Sequence, residues 1–294
     1  MKYIEKHPML MIVIGIFGIS MSSILVKYSM APSAVTAAFR LLWTVLLMSP
    51  VVWGKREVRT ELMQADKKTV RLSVISGLFL AVHFVLWFES LNYTSVASST
   101  TIVCTEVIWV ALGFCLFMKG KLSAKAATAI VVTVAGSVLI ALADSAAGGG
   151  HLYGDVLALI AAIAVAIYTL IGREVRKTMS TSVYTYIVYT ACALVLCLTC
   201  LVQGYSLFHL EYGMSAVIVG LLLAIFSTIL GHSIFSWCLK YFSPAFVSAS
   251  KLCEPVFAAV LAGILFGEMP SVMQIVGGML ILGGVYYYSR IEKE

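Results

Sequence analysis

The sequence predicts an all-α integral membrane protein with ten transmembrane helices in a five-plus-five inverted repeat and both termini in the cytoplasm. Three observations carry this expectation. Apolar runs of about 20 residues, the length that crosses a hydrocarbon core, recur along the whole chain. Lysine and arginine are sorted into alternate loops. The first half also matches the second at an offset of 148 residues, which aligns Glu106 with Glu254.

The chain has 294 residues, 61% of them hydrophobic and 12% charged, with a mean hydropathy of +1.00. A soluble domain of this size has no use for so much apolar surface. The apolar runs fall at about 8–28, 34–53, 72–91, 95–118, 124–143, 153–172, 182–203, 214–238, 244–266 and 271–289. Backbone groups in lipid must pair internally, so each run is expected to be a helix. The first continues to Lys27 without a small-residue cleavage pattern and reads as a spanning helix rather than a signal peptide.

The net charge of +6 is not a nucleic-acid footprint, because the basic residues do not share one soluble face. Lys2, Lys6, Lys55, Arg56, Arg59, Lys67, Lys68, Arg71, Lys119, Lys121, Lys125, Arg173, Arg176, Lys177, Lys240, Arg290 and Lys293 all fall to one side. The opposite loops, about 29–33, 92–94, 144–152, 204–213 and 267–270, contain no lysine or arginine. The positive-inside rule makes the basic side cytoplasmic and requires an even number of spans. The longest loop, about 54–71, reads as a charged cytoplasmic connector. All seven cysteines lie inside apolar runs, which argues against an external disulfide framework. Cys197 and Cys200 have redox spacing, but their mid-helix position favours ordinary packing.

Residues 146–150, Ala-Ala-Gly-Gly-Gly, form the best linker signal and divide the chain into repeats 1–147 and 148–294. Five spans is an odd number, so the second repeat enters the membrane inverted. Besides the two glutamates, the offset aligns Leu91 with Leu239, Tyr93 with Tyr241, Ser95 with Ser243, Ala97 with Ala245, Ala111 with Ala259, Ser123 with Ser271 and Gly136 with Gly284. Small residues crowd the starts of the fourth and ninth runs: Ser95, Ala97, Ser98, Ser99 and Thr100, then Ala245, Ser248, Ala249 and Ser250. They permit close helix packing, a hydroxyl-lined cavity, or both.

Several local patterns, in order, resemble those of a known group. They are Pro32 with Arg40 entering the second helix, Trp87-Phe88-Glu89-Ser90-Leu91-Asn92-Tyr93-Thr94-Ser95 at the third-to-fourth hairpin, Glu254-Pro255-Val256-Phe257 in the ninth helix, and Gly267-Glu268 before a glycine-rich last helix. With this topology the whole chain is similar to the EamA branch of the drug/metabolite transporter superfamily. The resemblance implies a secondary transporter whose cavity is lined by helices one, three, four, six, eight and nine. It also implies a bias toward export and a structural or gating role for Arg40. The chain departs from the pattern at Glu106-Val107, where the family often has proline, at Lys119-Gly120-Lys121 where it has Gly-Glu, and at Lys251.

An ionisable group within a membrane span is costly and marks a functional site by default. Lys251 and Glu254 share a helix face. Three readings stand for them: a structural ion pair, a lysine that anchors a cargo carboxylate or phosphate, and a glutamate that takes up a proton as cargo leaves. Glu106 reads as the less paired acid, because its own helix carries no cation before Lys119. As repeat mates, Glu106 and Glu254 are expected to approach each other. His83 and Trp87 share a face of the third helix; the histidine is either a proton relay or a hydrogen-bonded core residue. Trp87, Trp109, Tyr168 and Trp237 can form an aromatic lining, or an interfacial belt.

The expected function is secondary active transport of a small polar metabolite, an amino acid or related zwitterion or carboxylate, by alternating access in the direction of export. A proton-coupled importer of a small amine or nucleoside-like solute is the alternative. A membrane receptor or assembly subunit is the alternative of another class. No enzyme is expected: there is no His-Glu-x-x-His, no intramembrane aspartyl pair and no serine elbow. The candidate site residues are Glu106, Lys251, Glu254, His83, Trp87, Tyr168 and Trp109, with Arg40 structural or gating. No cofactor or metal is expected. The partners are the small-molecule substrate, a possible coupling proton and the lipid bilayer, with the protein a monomer or homodimer in the cell membrane.

Overall fold

The computed structural model describes residues 7–26, 28–90, 92–94, 99, 102–144, 152–207, 212, 214–266 and 270–292. Lys2, Lys6, Lys27, Leu91, Ser95, Ala97, Ser98, Thr100, the linker 146–150, Gly267, Glu268 and Lys293 lie outside them.

The described residues are helical, with no strand among them. In chain order the elements are α1 (Pro8–Val26), α2 (Ser33–Gly54), α3 (Arg56–Gln64), α4 (Lys67–Ser90), α5 (Glu106–Met118), α6 (Ala124–Asp144), α7 (Leu152–Val175) and α8 (Thr181–Val202). Next comes α9 (Ser215–Leu223), which runs through a π-helical stretch, Ala224–Ser233, into α10 (Ile234–Cys238). The last three are α11 (Pro244–Lys251), α12 (Glu254–Phe266) and α13 (Val272–Ile291).

Where their residues are described, the apolar runs fall on helix apart from residues at their ends and the breaks at Thr105 and Leu252–Cys253. Seven helices among the described residues are long and apolar enough to cross a membrane: α1, α2, α4, α7, α8, Ser215–Cys238 and α13. Ile102–Phe117 and Ala124–Ile140 are shorter apolar stretches. The charged connector is more structured than expected. It holds the surface helix α3, because Val58, Glu61 and Leu62 at helical spacing give it an inward face.

The chain packs into two compact units. The first is Met1–Val85 with Ile171–Tyr241, and the second is Leu86–Leu170 with Phe242–Glu294. Each unit draws on both sequence repeats, and α4 and α7 contribute residues to both.

In the first unit α1 lies against the π-helical stretch. A Cβ added at Gly18 would sit 2.7 Å from the Phe226 carbonyl oxygen, and one at Gly231 would sit 2.7 Å from Ile19. Only glycine permits that approach, which in lipid replaces hydrophobic driving force with close packing. The π register is supported by side chains: Thr228 Oγ1 donates to the Leu223 carbonyl at 3.3 Å and Ser233 Oγ to the Thr228 carbonyl at 3.2 Å, each spanning five residues.

In the second unit α6 and α13 cross at Gly136 and Gly277. A Cβ on either would fall 2.6–2.7 Å from the other's carbonyl oxygen. The start of α11 is fastened to the end of α13, where the Ser243 backbone N–H and hydroxyl both donate to the Glu292 carboxylate, the hydroxyl at 2.9 Å. Phe246 and Tyr288 pack edge to face below that contact. At the other end of this unit Thr94 Oγ1 donates to Asp155 Oδ1 at 2.8 Å, joining the 92–94 turn to α7.

Candidate functional site

Both repeats break a helix immediately before the shared glutamate. In the second, Pro255 has no N–H to bond the Lys251 carbonyl, and its ring clashes with that carbonyl. The helix therefore stops at Lys251, tightens through the i+3 bonds Leu252 N–Ala249 O (3.1 Å) and Cys253 N–Ser250 O (3.2 Å), and restarts at Glu254. In the first repeat Val107 stands where that proline would be. Here Thr105 makes the break: its N–H and hydroxyl both donate to the Ile102 carbonyl, at 3.0 and 2.6 Å, and α5 starts at Glu106.

The consequence is electrostatic. Each glutamate opens a helix, where the positive end of the helix dipole favours a carboxylate. Lys251 closes α11, where the negative end favours a cation. Packing of α11 on α5 then brings Lys251 Nζ to 2.8 Å from Glu106 Oε1. The side chains are 14% and 8% exposed, so the pair is largely desolvated. This corrects the expectation that Glu106 is the less paired acid. Its cation comes from α11, 145 residues away, and not from its own helix.

The Cys104 thiol, two residues before Glu106, feels the charges of Glu254, Glu106 and Lys251. Around the ion pair, Trp109 lies one turn beyond Glu106 on α5 and Ser248 one turn before Lys251 on α11. Trp109 Nε1, Ser248 Oγ and Thr169 Oγ1 are buried polar atoms of this unit without a hydrogen-bond partner. Tyr168, beside Thr169 on α7, is 4% exposed. Trp87, also of this unit, stacks on Phe88 with ring centroids 5.1 Å apart.

His83 and Arg40 belong to the first unit. Arg40 is 1% exposed. Its Nε donates to Thr228 Oγ1 of the π-helical stretch at 2.8 Å, and its guanidinium lies 4.6 Å from the centre of the Phe84 ring. Phe84 in turn contacts the rings of His83 (5.2 Å) and His232 (5.7 Å). Trp237 packs on Tyr241 at 4.4 Å. All seven cysteines are free thiols, Cys197 and Cys200 among them. Among the described residues no cluster of His, Cys, Asp and Glu can hold a metal ion.

Sequence reasoning missed Thr228, Ser137 and Cys104. Thr228 acts through a π register that apolar composition does not announce. Cys104 lies two residues before Glu106, and Ser137 is carried by α6.

The EamA-like transporter family matches residues 7–142 and again residues 152–290. An uncharacterized transporter of Clostridium kluyveri is 22% identical over 272 residues, covering 91% of this chain and 86% of that protein. An uncharacterized transporter of Archaeoglobus fulgidus is 22% identical, covering 86% of each. A protein of Salmonella typhimurium described as a probable amino-acid metabolite efflux pump is 24% identical, covering 94% of this chain and 92% of that protein. One solved crystal structure shares the fold, with a TM-score of 0.79 over 98% of both chains at 16% identity. Two matches to one family, which together cover nearly the whole chain, and seven helices among the described residues that are fit to cross a membrane have one reading: the chain belongs to the EamA-like transporter family and is a multi-pass membrane transporter.

Proposed function

We propose that the protein exports a small zwitterionic metabolite, of the amino-acid class, across the cell membrane by alternating access. The Lys251–Glu106 ion pair carries this reading, because a largely desolvated pair at the ends of two broken helices holds one cation and one anion that can part to meet the two charges of a zwitterion. The cargo carboxylate engages Lys251 and its ammonium group engages Glu106 or Glu254. Trp109 and Ser248 supply hydrogen bonds from polar atoms that otherwise stay unmatched. Leaving such groups unpaired is costly, so a cargo that satisfies them is selected over one that does not.

Discontinuous helices whose ends face charged cargo are a recurrent device of inverted-repeat transporters. The full topology in this reading is ten helices, five in each of the repeats 1–147 and 148–294, with both termini cytoplasmic as the loop charges favour. Tyr168 and Trp87 line the cavity. Glu254, the repeat mate of Glu106 at the start of α12, is the candidate carrier of a coupling proton, since an acid within a span is costly unless paired or neutralised. His83 and Arg40 serve gating through the contacts of Phe84 and Thr228. The export direction rests on the Salmonella typhimurium relative.

A thermal-shift screen of the purified protein against amino acids, amines, nucleosides and organic acids tests the assignment, since a ligand of the folded state raises its melting temperature by mass action. The expected result is a shift with zwitterionic amino acids that disappears in Lys251→Ala. A shift confined to amines or nucleosides, or one that survives Lys251→Ala, refutes it.

A further inference from the structure

The surface helix α3 and the start of α4 carry a cluster of charge outside the residues assigned to the proposed cargo site. The helices on either side of it, α2 and α4, are both long and apolar enough to span, so the segment from Lys55 to Asp66 must lie at the bilayer surface. Six cations occur within this stretch and the first turn and a half of α4: Lys55, Arg56, Arg59, Lys67, Lys68 and Arg71. All six are exposed. Three acids accompany them, and two are turned to internal tasks. Glu61 Oε1 accepts from the backbone N–H of Ser180 at 2.5 Å, which fastens α3 to the start of α8. Asp66 Oδ1 accepts from the backbone N–H of Thr69 at 2.9 Å and begins α4. Glu57 is the third, and it stands exposed on α3.

The outward face is mixed in a particular way. Val58, Glu61 and Leu62 point inward, which leaves Arg56, Arg59, Thr60 and Met63 on the opposite side at helical spacing. Met63 is 71% exposed and lies one turn beyond Arg59 on that face. Trp53, 46% exposed, precedes them, with its indole N–H donated to the Tyr186 hydroxyl at 3.0 Å. Cations beside apolar side chains at a membrane surface match a molecule with an anionic head and an apolar tail.

We infer that α3 is a binding surface for anionic phospholipid, with the headgroup phosphate held by Arg56 and Arg59 and the upper acyl chain against Met63 and Trp53. The helix is fixed in place by Glu61 and Ser180 and need not be ordered by the lipid, so its charge is presented in advance.

Native mass spectrometry of the purified full-length chain, titrated with phosphatidylglycerol or phosphatidylcholine, tests this. Phosphatidylglycerol is expected to bind more tightly, with a loss of about fivefold for Arg56→Gln and about thirtyfold for the double variant Arg56→Gln/Arg59→Gln. Arg56→Lys/Arg59→Lys should retain most of the preference. The charge-matched control Lys119→Gln/Lys121→Gln should leave it unchanged. Equal affinity for both lipids, an equal loss in the control, or displacement of phosphatidylglycerol by inorganic phosphate alone at matched concentration overturns the inference. Unchanged melting temperatures of the variants separate lost binding from lost folding.

Discussion

Lys251 Nζ and Glu106 Oε1 lie 2.8 Å apart although 145 residues separate them in the chain. The contact joins the C-terminal end of α11 to the N-terminal end of α5, so both charges sit where helix dipoles favour them. Removing Lys251 takes from the buried Glu106 carboxylate its hydrogen-bonded cation. Lys251→Ala is therefore expected to destabilise the protein by about 3–5 kcal/mol, and Lys251→Met/Glu106→Gln by much less. Denaturant or thermal unfolding in detergent of the wild type, both single variants and the double variant checks this. Additive losses would mean that the residues are not coupled.

Arg40 is the second buried cation with a defined setting. Thr228→Val removes the hydroxyl that accepts from its Nε and should cost about 1.5–3 kcal/mol. Phe84→Leu removes the ring face and should cost about 2 kcal/mol beyond its packing loss. Melting temperatures of the two variants check these values. If Arg40 only fills space, both losses should match those of ordinary core substitutions.

The crossing of α6 and α13 leaves no room for a side chain. Gly277→Val is expected to cost at least 1–3 kcal/mol, because its Cβ meets the Gly136 carbonyl and neither backbone can move without displacing a helix. Gly283 meets nothing within 4 Å, so Gly283→Ala should change stability by about 0.5 kcal/mol or less. Expression and melting temperature distinguish the two.

Asp66 gives the start of α4 a pH dependence of known sign. Hydrogen bonds from Thr69, chiefly, hold its carboxyl below the ordinary value of 3.8. A carboxyl with a depressed folded-state pKa contributes stability above its unfolded pKa and loses it as the pH falls through the folded value. Protection of the Thr69 amide, followed by hydrogen exchange, should therefore weaken below about pH 4 in the wild type, and Asp66→Asn should remove that dependence. An identical pH profile in the variant would assign the effect to another group.

Much of this was readable because lipid simplifies the code. Apolar runs of spanning length must be helices, and loop charge and internal offset point to the two matching acids. Pro255 also foretells the break before Glu254, since its missing N–H falls on the Lys251 carbonyl. The break before Glu106 was hidden, because Thr105 produces it by a local hydrogen bond that the same threonine in another context need not make. The cation of Glu106 was hidden for a different reason: side-chain spacing finds neighbours on one helix, whereas Lys251 arrives through the packing of α11 on α5. The π-helical stretch at Ala224–Ser233 and the surface helix α3 were likewise invisible to hydropathy, which reads composition and not register.

Counterflow in proteoliposomes, loaded and challenged with the same panel of amino acids, amines and organic acids, tests whether the ion pair binds cargo. The expected result is exchange of zwitterionic amino acids by the wild type, little exchange of amines or organic acids, and loss of exchange in Lys251→Ala and Glu106→Gln at unchanged protein incorporation. Wild-type exchange of amino acids by the folded double variant Lys251→Met/Glu106→Gln would contradict it and leave the ion pair a purely structural tie between α5 and α11.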